Sequence, residues 1–206
     1  MKTHFATLLI CIAFWQSALV GCATASPKPL VSNGSANASQ NAATATALPS
    51  SWKQFVELFV KQGGLGTWTS KGVTAEMWAG IPAGLEYTGR GTSELAKDRN
   101  AIFDSGNMLL KDGRTLSIGT SLTTWDAETG KVVFCNSGFD SGKPYSGIGT
   151  LKAIDGSSIT WEYVENSRGQ TTTYKNITRQ VDSNNRVVTV QKLPDGTLWT
   201  FAEVRK

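Results

Sequence analysis

The sequence predicts a mainly β fold: an up-and-down antiparallel β-barrel of about ten strands with one short N-terminal helix. Three observations carry that expectation. Turn pairs recur at short intervals, from Asp112-Gly113 through Thr129-Gly130, Ser141-Gly142, Asp155-Gly156, Arg168-Gly169 and Asn184-Asn185 to Asp195-Gly196. β-rich stretches lie between them. Only one segment carries a helical period, and it comes first. Closure removes the exposed edges that a flat meander would leave, so a barrel is favoured over the alternative, a two-sheet sandwich.

The helix is expected over residues 50–62. Ser50 or Ser51 caps it, and Trp52, Phe55, Val56, Phe59 and Val60 recur on one face. Gly63-Gly64 ends it. Strands are expected over residues 74–79, 85–94, 101–110, 115–125, 131–139, 158–165, 171–180, 186–193 and 197–205. Alternation places Ile159, Trp161 and Tyr163 on one face, with Thr160 and Glu162 on the other. Leu116, Ile118 and Leu122 also share a face. Residues 136–147 read as an ordinary long turn or as a mobile lid over a barrel mouth.

Composition divides the chain into three parts: 1–21, 22–49 and 50–206. The first begins with Lys2 and runs through an apolar stretch from Phe5 to Val20. That stretch is shorter than the roughly 20 residues of a bilayer span and reads as a secretory signal. It ends in Leu19-Val20-Gly21-Cys22. This motif resembles the lipobox of bacterial lipoproteins, in which the Cys sulfur is joined to diacylglycerol and cleavage frees its amine. The resemblance implies that Cys22 is the lipidated first residue and that the protein's membrane partner is reached through this N-terminal anchor. Ala23, rather than Asp, implies an outer-membrane address facing the periplasm, in the cell envelope of a two-membrane bacterium. Residues 23–49 are rich in Ala, Ser, Thr and Asn, with one charge and no aromatic residue. Such a segment cannot bury enough apolar area to fold and reads as a tether.

Residues 50–206 contain six of the seven Trp and nineteen of the twenty-one Gly. That length suits one domain with a full core. All sixteen acids fall here, with all the Lys and Arg except Lys2 and Lys28, so the domain's net charge is only +2. No basic stripe points to nucleic acid. The single histidine, His4, lies in the signal. A domain without histidine loses Ser-His-Asp and Cys-His catalysis, most zinc sites and His-ligated haem. No cofactor is expected. Cys135 is the one thiol left in the domain, which excludes an intramolecular disulfide there, and it reads as a small apolar strand residue.

Directly after the helix stands Leu65-Gly66-Thr67-Trp68, and Arg205 lies near the end of the last expected strand. Helix, Gly-x-Trp, meander and terminal Arg in this order resemble lipocalins and related calycin barrels, and an uncharacterised group of bacterial secreted proteins with a lipocalin-like domain. The resemblance implies that Gly66 and Trp68 plug the barrel base and that Arg205 packs over the indole. It implies a binding cavity as well. Trp78, Tyr87, Phe103, Trp125, Phe134, Tyr145, Trp161 and Tyr163 are the aromatic candidates for contact with a ligand. Asp104, Glu162 and Glu165 are the carboxylates within strands, and Glu162 is expected to face solvent.

Three functions follow. A binding protein for a small apolar or amphipathic molecule predicts a closed barrel with a cavity. An envelope-structure or interaction module predicts a filled barrel with an exposed apolar patch. An enzyme predicts an inward carboxylate held above its usual pKa.

Overall fold

A computed structural model describes residues 48–206 other than Met77, Ala79 and Gly80. The lipobox residues Leu19, Val20, Gly21 and Cys22 lie outside the described residues. The described residues belong to one compact unit. Helix α1 (Trp52–Lys61) leads into ten strands. These are β1 (Gly66–Val73), β2 (Glu86–Leu95), β3 (Ile102–Leu110), β4 (Thr115–Asp126) and β5 (Lys131–Asp140). They continue as β6 (Lys143–Ile154), β7 (Ser158–Ser167), β8 (Gln170–Gln180), β9 (Asn185–Leu193) and β10 (Leu198–Arg205). Each strand pairs antiparallel with its neighbours in sequence, and β1 pairs with β10 to close the barrel.

Helix α1 begins where Ser51 accepts a hydrogen bond from the Gln54 amide. Its Phe55 and Val56 are buried against Ile102, Val132, Leu151, Ile154 and Ile159, which line one barrel end. Trp125 and Trp161 pack around this cluster. The helix is thus a stopper, fastened by Gln62, whose side chain donates to the Asp155 and Ser158 carbonyls.

Beside it, Trp68 is 1% exposed. Arg186 lies 4.1 Å from the centre of its ring and Arg205 lies 4.7 Å from it. Arg205 also donates to the Gly63 carbonyl at 2.5 Å, joining the last strand to the helix end. The opposite end holds a second cluster: Tyr87, Tyr163, Tyr174, Val188, Val190 and Trp199. The β1–β2 segment folds over it, with Trp78 edge-on to Trp199 at 4.8 Å.

Two local expectations are corrected. Described residues within 74–79 are not a strand. Thr74 instead donates to the Pro82 carbonyl and accepts from the Leu85 amide, which folds the β1–β2 connection back on itself. Residues 136–147 are neither lid nor long turn but the facing parts of β5 and β6. Ser141 and Gly142, at φ +48° and +75°, make the whole connection between them. Two left-handed residues match the twist of a two-residue hairpin, so no loop is needed.

The shared face of Ile118 and Leu122 is the outer one, where they are 49% and 40% exposed. Leu116 sits at a bulge in the β3–β4 pairing and is buried. Cys135 is in a strand as expected, but it is exposed rather than packed.

Candidate functional site

One hydrogen-bonded row sets the shape of the interior. Arg205 pairs with Trp68, Trp68 with Gly91, Gly91 with Gly106, Gly106 with Gly119, Gly119 with Gly138, and Gly138 with Tyr145. Alternation points every position of this row inward. Four consecutive strands, β2 to β5, therefore contribute no side chain at one level of the barrel. A cavity of about 330 Å³ lies over this glycine floor. Tyr145 covers its far edge, since a Cβ on Gly119 or Gly138 would collide with Tyr145 Oη.

The cavity has two kinds of wall. Tyr87, Met108, Trp199 and Phe201 form the apolar one. Trp199 lies 4.5 Å from Phe201 and 5.7 Å from Tyr87, ring centre to ring centre. Asp104, Ser117, Ser121, Asn136, Tyr145 and Glu203 form the polar one. Glu203 accepts from Arg186 at 2.5 Å, an ion pair that is mostly buried. Ser121 lies 3.5 Å from Asp104 and donates to it. Burial raises the Asp104 carboxyl above its usual range, against the lowering effects of Ser93, Ser121 and the Arg186 charge.

Burial also pushes the Tyr87 phenol up to about 12, with Ser70 opposing and Glu203 adding. Ser70 lies close without completing a hydrogen bond: Tyr87 Oη and Asn136 Oδ1 are buried without partners. Such groups cost free energy while they stay unpaired.

Behind Ser117 and Tyr145 stands a second acidic group. Ser117 donates to Asp140 at 2.6 Å. Glu165 is 4% exposed, and burial, then the Asp140 charge, push its carboxyl up to about 7. Burial also raises Asp140, opposed by Ser117 and Arg168. Tyr145 is pushed up to about 12 by burial and by both carboxylates. Neither Asp140 nor Glu165 lines the cavity.

The sequence-selected aromatics divide. Tyr87 and Tyr145 line the cavity. Trp78, Phe134 and Tyr163 belong to the cluster beside it, with Trp78 Nε1 donating to Tyr163 Oη at 3.4 Å. Trp125 and Trp161 pack near the helix, at the other end. Phe103 is a correction: it is 54% exposed on the outer face, because its neighbours Ile102 and Asp104 take the inward positions. Glu162 faces outward and pairs with Lys152 at 3.0 Å. Trp199, Phe201, Asn136, Ser117 and Glu203 were not singled out from sequence, and neither was the glycine row. Alternation through Ile102, Asp104, Gly106 and Met108 is the signal that would have turned Asp104 inward.

The outer surface has its own feature. Phe103, Leu122, Cys135, Ile148 and Val164 are cross-strand partners in one row over β3 to β7. All five are exposed. A surface groove of about 550 Å³ runs along the β3–β5 part of this row.

No family model matches this chain, and no curated protein matches it.

Proposed function

We propose that this chain is an exported lipoprotein whose barrel holds a small amphipathic molecule. The glycine-floored cavity, with an aromatic wall facing a polar one, is the observation that carries this reading. Tyr145 accounts for Gly119 and Gly138, but no side chain packs over Gly91 or Gly106, so packing alone does not explain these two omitted side chains. The anchor reading rests on Leu19-Val20-Gly21-Cys22, and the outer-membrane, periplasm-facing address rests on Ala23. Two or more acyl chains on Cys22 would hold the protein at a membrane stably.

The test uses the full chain, purified from bacterial membranes. A denaturing mass spectrum should show a chain that starts at Cys22 and carries acyl chains. An unprocessed, unmodified chain would remove the anchor reading. A native spectrum should carry extra mass that is lost on denaturation. Equal native and denatured masses, even after exposure to candidate amphiphiles, would remove the binding reading.

A second reading is an interaction module, favoured by the exposed row from Phe103 to Val164. It expects a charge on that row, such as Leu122→Lys, to break an assembly seen by sedimentation. An enzyme reading rests on one group, the Asp104 carboxyl, which burial raises and which lines the cavity; Glu165, the carboxylate held near neutrality, does not line it.

A further inference from the structure

We infer that the cavity selects a cationic amphiphile, with a ligand ammonium group facing Asp104 and an apolar body against Tyr87, Trp199 and Phe201. This rests on the binding reading above and narrows it to one chemical class. The charges inside the barrel are unequal in a useful way. Both interior arginines are committed at the stopper end, Arg186 to Glu203 and Trp68, and Arg205 to Trp68 and the Gly63 carbonyl. Among the described residues, no ion pair reaches Asp104, Asp140 or Glu165. The interior thus holds more carboxylate than cation, and Asp104 is the excess carboxylate that lines the cavity.

A second observation points the same way. Tyr87 is 4% exposed and lines the cavity, with its Oη buried without a hydrogen-bond partner. The rings of Tyr87, Trp199 and Phe201 line the same space as Asp104, and an ammonium group is attracted to an aromatic π face. A carboxylate opposite an aromatic wall attracts an amine twice over, once by charge and once by the ring quadrupoles. An anionic ligand would face Asp104 and Glu203, whereas the one cationic residue of the lining, Arg90, is exposed, between the inward positions Gly89 and Gly91 of β2. A bare metal ion fits less well, since no three His, Cys, Asp or Glu side chains converge among the described residues.

The test compares three probes of one shape on the full chain in lipid nanodiscs, by calorimetric titration at about pH 8: phenethylammonium, 2-phenylethanol and 3-phenylpropionate. The full chain carrying Gly91→Leu, which fills the cavity, is the blank for binding to lipid. Phenethylammonium should bind at least about tenfold more tightly than the alcohol, and the propionate should match the blank. Asp104→Asn should cost the ammonium about tenfold and leave the alcohol within about twofold. Equal affinity for ammonium and alcohol would overturn the inference while leaving a binding cavity. So would a preference that survives Asp104→Asn. If no probe exceeds the blank, the cavity reading itself fails and the inference falls with it.

Discussion

The two ends of a single cross-strand row are filled in opposite ways. At one end Arg205 and Arg186 flank Trp68, which is 1% exposed. At the other, Gly91 and Gly106 open onto the cavity, and the Tyr145 hydroxyl lies over Gly119 and Gly138. The backbone is the same antiparallel ladder throughout, and every position points inward. Side-chain volume alone decides that one end is sealed and the other can hold a molecule. Stability and binding are therefore assigned to neighbouring positions of the same strands. Glycine carries a conformational cost in a strand interior, and at Gly91 and Gly106 no packed side chain offsets it.

The largest expected effect lies at the sealed end. Trp68→Ala should cost about 3–5 kcal/mol, read from urea denaturation, because it empties a packed site and leaves two arginines without the ring between them. A cost below about 1 kcal/mol would mean that the two ends do not differ in packing, and the comparison would fail.

A somewhat smaller effect concerns pH and the open end. The Glu165 carboxyl stands near 7 in the folded chain against a usual 4.5. The folded state then holds a proton that the unfolded state releases, so stability should fall as pH rises from about 4.5 to about 7 and level off above. At about 1.4 kcal/mol per unit the loss is at most about 3.5 kcal/mol. Asp140, raised in the same direction, adds to the fall at the lower end of that window. Glu165→Gln should flatten the slope and make the protein more stable than the parent at pH 8. A pH-independent denaturation midpoint between 4.5 and 7 would show that Glu165 is solvated and that the open end is less dry than its burial implies.

Legibility in the sequence followed the same division. The sealed end was readable, because helix period, Gly-x-Trp and a terminal Arg are local patterns. The order of strands followed from turn pairs, although neither β1 nor β6 was among the expected ranges: a strand was expected at 74–79 instead of 66–73, and Pro144, Gly147 and Gly149 dilute the β signal of β6 and made it look like a loop. The cavity was not readable. Gly91, Gly106, Gly119 and Gly138 stand at unequal spacings, and only the register of four pairings brings them to one level. Phe103 shows the same limit from the other side. Its aromatic character suggested a ligand contact, but its parity on β3 turned it out to solvent. Parity is a single bit per strand, and an error in it moves a whole face.

The smallest expected effect sharpens the comparison within the glycine row itself. A Cβ on Gly91 would meet nothing nearer than the Ser105 carbonyl, at 3.8 Å. One on Gly106 would lie 3.2 Å from the Arg90 carbonyl, tight but tolerable. One on Gly119 would strike Tyr145 Oη. Of these three, none has a positive φ, so space rather than backbone strain decides the outcome. Gly91→Ala should therefore raise stability by about 0.5–1 kcal/mol, and Gly119→Ala should lower it, with Gly106→Ala between. Denaturation midpoints of the three variants give the order directly. If all three stabilise alike, Tyr145 does not rest on the floor and the cavity extends to Gly138. If all three destabilise, the row is a tightly packed seam, and the open end is no more open than the end that Trp68 seals.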